Sequence, residues 1–290
     1  MTTSVVIPAF NGRKFLAANL PAVLSLNADE FIVVDDASAD DTSRFLQLNY
    51  PQIKILRHTQ NLGFPISVNR GVGTASGEIV ILLNQDVKPR SDLLRASLPH
   101  FKNPAVFAVT FNEENRSWAQ AKFKTGFIEY KNGFKDKRIH PSFWASGGSA
   151  AFSRTLWNEL GGFDPIFSPG YAEDQDLGFR AYKRGYQIIW DPKAAVEHAS
   201  PESTFSKSFS PARLRYIKER NFLLVHWKNL DPVNLKSNIY HLISKIFHHP
   251  GFIVPTLMAL TRLPRVLSFR RRERRFIKLN DTAIFAKFSK

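Results

Sequence analysis

Cysteine is absent from this sequence of 290 residues, so the chain forms no disulfide bond and has no thiolate metal site. That absence is consistent with a reducing compartment. Long apolar runs are absent too: the best stretch, residues 252–263, is shorter than the ~20 residues that span a bilayer and contains Pro255 and Arg262. The N-terminus lacks the basic flank and apolar core of a secretory signal, so we expect its first residues to form a strand.

Internal repeats and low-complexity linkers are also lacking. Hydrophobic residues make up 43% of the chain and charged residues 22%, which is ordinary for a folded globular protein and excludes a disordered one. A chain of this length buries a full core in one large domain or two smaller ones.

The positive charge is concentrated at one end of the chain. Residues 206–290 contain 18 Lys and Arg against 4 Asp and Glu, whereas residues 1–205 contain 22 against 21. Such a basic region favours an anionic partner, which is nucleic acid, a membrane surface or a phosphate-bearing molecule. No RNA- or DNA-binding module accompanies the region, so we expect no nucleic-acid partner.

Two interpretations of the basic region remain open. The apolar residues 247–267 precede a cluster of arginines at 270–275, and this pairing suits adsorption to an anionic membrane surface. Apolar runs at helical spacing, such as residues 214–224, instead favour a helical extension that packs on the rest of the chain. We expect a cytoplasmic protein attached peripherally to the inner face of the plasma membrane, with a packed C-terminal interface as a possible basis for a homodimer.

Short apolar runs alternate with amphipathic segments in the first half of the chain. The runs are rich in Val, Ile and Leu, as buried parallel strands are. We predict an α/β fold with a mostly parallel central sheet flanked by helices in a catalytic domain over residues 1–205, and a basic, mainly helical region over 206–290. The predicted strands are 4–8, 31–34, 53–56, 79–83 and 106–109, the predicted helices lie within 15–24, 64–72 and 93–101 with Ser91 as N-cap of the third, and 112–141 is a long polar connection.

Carboxylates follow two of the predicted strands. Asp35 and Asp36 come directly after the second strand, and Asp86 follows the fourth. Ligands of such sheets bind at the carboxyl ends of the strands. There, Asp86 is a suitable ligand for a divalent cation that neutralises a diphosphate, and Asp35 and Asp36 are suitable acceptors for a base N–H and a ribose hydroxyl.

A cluster of carboxylates lies further along, at Glu173, Asp174 and Asp176. Neighbouring carboxylates raise each other's pKa, which suits a general base that removes the proton of an acceptor hydroxyl. The same residues are also typical of the acidic first turn of a helix, and the two interpretations are compatible.

In their order along residues 3–205, these motifs resemble the family 2 inverting glycosyltransferases of the type A fold. Within that family the chain is most similar to bacterial enzymes that build surface polysaccharides, rhamnosyltransferases among them. The matching segments are SVVIPAFN at 4–11, VVDDAS at 33–38, NLGF at 61–64, NRG at 69–71, NQD at 84–86, GGFD at 161–164, EDQDLGFR at 173–180 and WDP at 190–192, followed by His198.

The resemblance implies transfer of a sugar, with inversion, from a UDP- or dTDP-sugar to a hydroxyl of a glycan or polyprenyl-diphosphate-linked acceptor. It implies a divalent metal, Mn²⁺ or Mg²⁺, held by Asp86 and His198, and a general base at Asp174. Asp36 would recognise the nucleotide base. The implied substrate- and nucleotide-binding residues are Pro8, Phe10, Asp36, Asn61, Gly63, Asn69, Asn84, Asp86 and Glu173.

The sequence departs from the family pattern at two places. Asn84 occupies the position of the first Asp of the Asp-x-Asp motif, which leaves Asp86 and His198 to hold the metal. Many members have Arg before the Asn of the Asn-x-Gly element, whereas this chain has Val68 there and Arg70 after the Asn.

Two other function classes fit parts of the sequence. Asn84 is compatible with a protein that binds nucleotide sugars without catalysis, but retention of Asp174 argues against it. A nucleotidyltransferase would need a Gly-rich basic loop after the first strand, which residues 9–14 resemble only faintly. His198, taken alone, is equally compatible with a structural role.

Overall fold

The computed structural model describes residues 1–114, 117–198 and 209–288. The strands are β1 (Thr3–Ala9), β2 (Glu30–Asp35), β3 (Lys54–Arg57), β4 (Ile79–Leu83), β5 (Val87–Pro89), β6 (Val106–Glu113), β7 (Ala119–Lys124), β8 (Phe127–Asn132), β9 (His140–Pro141), β10 (Ser149–Ser153) and β11 (Gln187–His198). The helices are α1 (Arg13–Leu24), α2 (Thr42–Asn49), α3 (Phe64–Thr74), α4 (Leu93–Ser97), α5 (Arg154–Leu160), α6 (Glu173–Lys183), α7 (Pro211–Asn229), α8 (Pro232–His248), α9 (Ile253–Leu260), α10 (Leu263–Glu273) and α11 (Asp281–Phe285).

The central sheet has the strand order β3-β2-β1-β4-β10-β6-β11-β5, and β9 also pairs with β11. Strands β1 to β4, β6 and β11 run in one direction, and β5, β9 and β10 run against them. The predicted α/β fold with a mostly parallel sheet is confirmed. The strand 79–83 has the predicted bounds, and the other four predicted strands are found with ends shifted by one to four residues.

Side chains alternate between the two faces of the sheet, as strand geometry requires. Val6 and Val80 pack into a core shared with α3, α5, α6 and α7, whereas Val5 and Ile81 pack into a second core shared with α1, α2 and α4. The long apolar runs in the sequence therefore reflect strands that are buried on both faces.

Two local predictions were wrong. The helix within 93–101 begins at Leu93 and has Asp92 at its N-cap position rather than Ser91. Residues 112–141 are not one long connection, because they contain the end of β6, the antiparallel hairpin β7–β8 and the short strand β9. Ala119 and Ala121 alternate toward the core, so the hairpin has a buried face that its polar composition concealed.

The C-terminal region is helical, as predicted, and α7 forms part of the main core. Leu223, Leu224 and Val225 are fully buried there, and Ile284 of α11 joins the same cluster. The interpretation of this region as a packed helical extension is therefore correct for α7 and α11.

Helices α8, α9 and α10 instead keep large apolar side chains at the surface. No single helix among the described residues is long and apolar enough to be a candidate for crossing a membrane. The pair Pro250–Leu260 and Leu263–Phe276, bent by 61°, meets the same criteria of length and apolar composition when its two helices are taken together. The most exposed apolar side chains on these three helices are Val233, Ile239, Tyr240, Ile243, Phe247, Ile253, Val254, Leu257, Leu260 and Leu267.

Candidate active site

The turn after β2 brings Asp35 and Asp36 to the carboxyl edge of the sheet, where their side chains have different surroundings. Asp35 is fully buried; it accepts a hydrogen bond from the Ser38 backbone N–H at 2.9 Å and one from the Ser43 hydroxyl. These two contacts hold the turn together. Asp35 is therefore engaged inside the fold rather than presented to a ligand.

Asp36 organises the segment that precedes α3. Its Oδ1 accepts from the Leu62 N–H at 2.8 Å and lies 2.7 Å from His58 Nδ1, and its Oδ2 accepts from the Gly63 N–H at 2.8 Å. Asn61 donates to the Asp36 carbonyl at 3.4 Å. A carboxylate oxygen has two lone pairs, so Oδ2 retains one acceptor position beyond this hydrogen bond. His58 was not identified from the sequence, because its importance comes only from this contact.

Gly63 allows this loop to approach the segment that leads to α6. Its φ of 88° lies in the region that favours glycine, and a Cβ placed there would lie 2.9 Å from the Pro169 carbonyl oxygen. The next residue, Phe64, donates to that same carbonyl at 3.0 Å. The Asp36 loop therefore contacts the segment that carries the acidic cluster.

The turn after β4 is bound to the end of β1 through Gln85. Its side chain accepts from the Phe10 N–H at 3.0 Å and donates to the Phe10 carbonyl at 3.2 Å. A Cβ on Gly12 would lie 2.1 Å from Gln85 Oε1, so only glycine leaves room for this contact. Phe10 is half-buried and Pro8 is buried within β1. Gln85 therefore fixes the Asp-x-Asp position beside the residues predicted to shape the base pocket.

Asp86, His198 and Glu113 form a chain of contacts at the same edge. His198 is the last residue of β11; its Nε2 lies 3.3 Å from Asp86 Oδ2 and its Nδ1 lies 3.3 Å from Glu113 Oε2. The hydrogen bonds to Asp86 and then to Glu113 raise the pKa of His198 to about 9. The two carboxylates therefore favour positive charge at this position, and a metal ion bound at Nε2 would take the place of the proton on that nitrogen.

Glu113 was missed by the sequence interpretation. It ends β6 at the same edge of the sheet, but the predicted strand stopped at residue 109 and placed Glu113 in a loop. Besides His198, its carboxylate accepts from the Ser149 hydroxyl at 2.5 Å. The rule that found Asp36 and Asp86 would have found Glu113 if the strand end had been predicted correctly.

The fit of a divalent metal can be judged from these side chains. Across residues 1–114, 117–198 and 209–288, no group of three or more His, Asp or Glu is arranged around a single metal position. Asp86 and His198 Nε2 do converge, while Glu113 contacts the opposite ring nitrogen and orients the imidazole, as outer carboxylates do at metal sites. Two protein ligands fit an ion whose remaining ligands are substrate phosphates and water, which is usual for Mg²⁺.

The loop before β10 connects this end of the site to Asp174. The Asn84 N–H donates to the Gly148 carbonyl at 2.8 Å, and the Gly147 N–H donates to Asp174 Oδ2 at 3.4 Å. A Cβ on Gly148 would lie 2.2 Å from Asn84 Nδ2. The Gly147–Gly148 pair therefore contacts both Asn84 and Asp174.

The acidic cluster divides into residues with different surroundings. Asp176 is fully buried and pairs with Arg180 at 2.8 Å and Lys228 at 3.0 Å, so it joins α6 to α7. Glu173 is buried as well, and its burial, followed by the charge of Asp174, raises its pKa to about 8. Asp174 is thus the carboxylate of the cluster that faces the Gly147 loop. The predicted acidic first turn of a helix is confirmed in α6.

Asn69 binds protein backbone in this structure. Its side-chain oxygen accepts from the Phe163 N–H at 3.0 Å, and its amide donates to the Phe163 carbonyl at 2.6 Å. These contacts fix the Gly-Gly-Phe-Asp loop to α3. A direct role of Asn69 toward the nucleotide stays a prediction, as do the roles assigned to the other site residues.

The comparisons with known proteins agree with this architecture. A model of glycosyl transferase family 2 matches residues 4–161, more than half of the chain. The chain belongs to glycosyl transferase family 2. Among curated relatives, the N-acetylglucosaminyl-diphospho-decaprenol L-rhamnosyltransferase of Mycobacterium tuberculosis is 26% identical over 207 residues, which cover 60% of this chain and 67% of the relative.

Solved structures of two sugar-binding transferases share the fold. GalNAc-T7 with UDP, GalNAc and Mn²⁺ has a TM-score of 0.64 and 17% identity, over 80% of this chain and 48% of that one. This chain thus spans about half the length of GalNAc-T7. The mannosyltransferase PcManGT from Pyrobaculum calidifontis, in complex with GDP-Man and Mn²⁺, has a TM-score of 0.57 and 18% identity over 98% of this chain and 86% of that one. The predicted type A glycosyltransferase fold is confirmed.

Proposed function

We propose that this family 2 member transfers a sugar, with inversion, from a UDP- or dTDP-sugar to a hydroxyl of a lipid-linked glycan in surface polysaccharide synthesis. The observation that carries the proposal is the Gly147–Gly148 segment, which contacts both Asp174 and Asn84 of the Asp-x-Asp turn. Sugar transfer needs a base and a site for the leaving diphosphate on the two sides of one reacting carbon. The contact of both groups with one segment supports their action at a single reacting carbon.

The donor would bind along the carboxyl edge of the sheet. Asp36 Oδ2 has an acceptor position for a base N–H, and Phe10 is held beside it by Gln85. In this orientation, Asn84 and Asp86 would lie next to the diphosphate of the bound donor. This order follows from the contacts of the β2 and β4 turns with the end of β1.

Asp86 and His198 would hold Mn²⁺ or Mg²⁺, which when bound neutralises the negative charge on the diphosphate leaving group. Glu113 would keep the His198 ring in place through Nδ1. Because Asn84 is neutral, the protein presents one carboxylate to the ion at this turn, and we expect metal affinity to depend strongly on the bound donor.

Asp174 would accept the proton of the acceptor hydroxyl as that oxygen attacks the anomeric carbon. The Gly147 and Gln175 N–H groups bond its two oxygens at 3.4 and 2.8 Å and fix their direction. Glu173, with a pKa raised to about 8, keeps its proton at neutral pH. The negative charge of this adjacent pair is therefore concentrated on Asp174, where a base is needed.

The acceptor and location are proposed from the C-terminal region. The rhamnosyltransferase relative acts, by its name, on a diphospho-decaprenol-linked sugar. Residues 1–205 would form the catalytic domain, and the basic region 206–290 would bring it to the inner face of the plasma membrane. The exposed apolar side chains of α8, α9 and α10 beside the arginine cluster support this attachment. The same region would also suit a homodimer interface, and vesicle binding measured together with oligomeric state separates the two.

A donor panel tests the proposed function. UDP-, dTDP- and GDP-sugars are added to the purified chain with Mn²⁺ or Mg²⁺, and thermal unfolding is followed before transfer is assayed. A donor at 100 times its Kd stabilises the fold by about 2.7 kcal/mol, which raises Tm by roughly 5 °C. Asp86→Ala should lose the metal-dependent part of that shift, and Asp92→Ala, on the surface, should keep it.

The outcomes separate the function classes. Donor binding without transfer to any glycan acceptor would favour a non-catalytic nucleotide-sugar-binding protein. No stabilisation by any nucleotide sugar would contradict the proposal.

A further inference from the structure

A cavity of about 450 Å³ lies between the segment 168–169 and the helices α7 and α9. Its lining contains Arg213 and Arg220 of α7 and Arg262 after α9, and no Asp or Glu among the described residues. Its volume falls in the range of roughly 300–1,000 Å³ that is usual for small-molecule sites. A cavity with three guanidinium groups and no carboxylate fits an anion.

Arg220 is the buried cation of the three. It is 3% exposed, and its guanidinium donates to Asn221 Oδ1 at 2.7 and 2.9 Å and to the Ser168 carbonyl at 2.8 Å. All of these acceptors are neutral. Burial, and then the charge of Arg262, lower the pKa of Arg220 to about 10. Buried charges are normally paired, so Arg220 has a charge that a bound anion would balance.

The lining contains further hydrogen-bond donors. Arg262 donates one hydrogen bond, from Nε to the Ile166 carbonyl at 3.3 Å, and Arg213 is exposed at the rim with its guanidinium over the Phe209 ring. The Ser168 hydroxyl is buried without a hydrogen-bond partner in the described part of the chain. Arginine forks and a hydroxyl donor are the groups that bind phosphate oxygens.

The cavity shares a wall with the segment that leads from the Asp36 loop contact to the proposed base. The carbonyl of Pro169, which lines the cavity, accepts a hydrogen bond from the N–H of Phe64 beside the Asp36 loop. Asn221, next to Arg220, donates to the carbonyls of Phe167, Gly170 and Tyr171, in the segment that leads directly into Asp174. A ligand in the cavity would therefore lie against the segment that positions the proposed base.

An apolar surface begins where the cavity ends. Met258 of α9 lines the cavity, and the same helix exposes Ile253, Val254 and Leu257, which are 43%, 42% and 58% accessible. A ligand whose anionic group lies in the cavity would thus extend along an apolar helix face. A lipid diphosphate has this combination of a charged head and an apolar chain.

We propose that the arginine cavity binds the diphosphate of a lipid-linked acceptor, with the lipid chain lying along α9. This inference rests on the proposed function, because it names the part of the acceptor that the site recognises. The glycan would extend from the cavity along residues 169–173 to Asp174. The cavity would thereby select acceptors that carry a diphosphate next to their first sugar.

Calorimetric titration of the full chain tests this assignment. The probes are farnesyl diphosphate, inorganic pyrophosphate and uncharged farnesol, without divalent cations so that the Asp86 site contributes little. Arg213→Gln and Arg262→Gln should each weaken farnesyl diphosphate binding about tenfold, the loss of one charge-assisted hydrogen bond. Arg215→Gln is the matched control, because Arg215 lies on α7 outside the cavity with a 61% exposed side chain.

Each outcome decides one part of the proposal. Farnesyl diphosphate should bind more tightly than pyrophosphate, and farnesol should not bind; equal binding of the two anions would overturn the lipid as the source of the diphosphate. Equal losses in Arg215→Gln, or no binding of any anion, would overturn the cavity as a site. Binding through these arginines in a protein that accepts no nucleotide sugar would contradict the proposed function and leave the cavity assigned.

Discussion

Lowering the pH from 7 to 4 should destabilise this protein through one buried histidine, His226 of α7. The side chain is fully buried, and its Nε2 accepts the Ile128 N–H of the β7–β8 hairpin at 2.8 Å. Its Nδ1 therefore carries the proton and donates to the Phe222 carbonyl at 2.7 Å. Protonation of Nε2 would remove the acceptor of Ile128 and leave a charge in the core between α7 and the hairpin.

The magnitude follows from the pKa. Burial lowers the pKa of His226 from 6.5 to about 4, so the unfolded chain takes up a proton at a higher pH than the folded one. The stability that neutral His226 provides is present above pH 6.5 and is lost as the pH falls toward 4. At about 1.4 kcal/mol for each pKa unit, the loss by pH 4 is about 3 kcal/mol.

Urea unfolding at pH 7, 6, 5 and 4, followed by circular dichroism, measures this loss. Carboxylates also titrate in this range, so the wild type is compared with His226→Gln, which lacks the titrating group. The difference in unfolding free energy between the two should shrink by about 3 kcal/mol from pH 7 to pH 4. Exposed His249→Gln serves as control and should follow the wild type. A constant difference between wild type and His226→Gln would refute the reasoning.

Two further predictions concern the site and the surface. Gly148→Ala should place a methyl group 2.2 Å from Asn84 Nδ2 and lower kcat by about tenfold, because the Asn84 side chain must move away from its position at the site. Gly73→Ala, with no atom within 4 Å, should keep full activity, and equal kcat values in the two variants would contradict a role for the position of Asn84. Phe247→Ser should weaken binding to vesicles with anionic lipid several-fold. The control Phe134→Ser, equally exposed at 81% but far from α8 in sequence, should not weaken it. Equal partitioning of the two variants, or a dimer that dissociates in Phe247→Ser, would contradict membrane attachment through α8.

Much of the fold followed from the sequence because its strands are buried on both faces. Continuous apolar runs such as 79–83 mark such strands without ambiguity. The β7–β8 hairpin was missed because it buries small residues, Ala119 and Ala121, on one face and carries lysines on the other. Its fold depends on a partner from distant sequence, α7, which local patterns do not contain.

The site could be predicted where a residue follows a strand and belongs to a motif, as Asp36, Asp86 and Asp174 do. The structure places His198 within 3.3 Å of Asp86, although 112 residues separate them in the sequence. Residues whose role comes from a tertiary contact alone were not found, as with His58, which contacts Asp36. For the same reason the sequence did not show which carboxylate of the acidic cluster pairs with α7.

The central claim, catalysis of sugar transfer with Asp174 as base, is tested most directly by turnover of Asp174→Asn. The substitution keeps the size of the side chain and removes the proton acceptor. We predict a decrease in kcat of at least about 100-fold, the usual contribution of a general base, with donor affinity within twofold of wild type. Full turnover by Asp174→Asn would contradict the account.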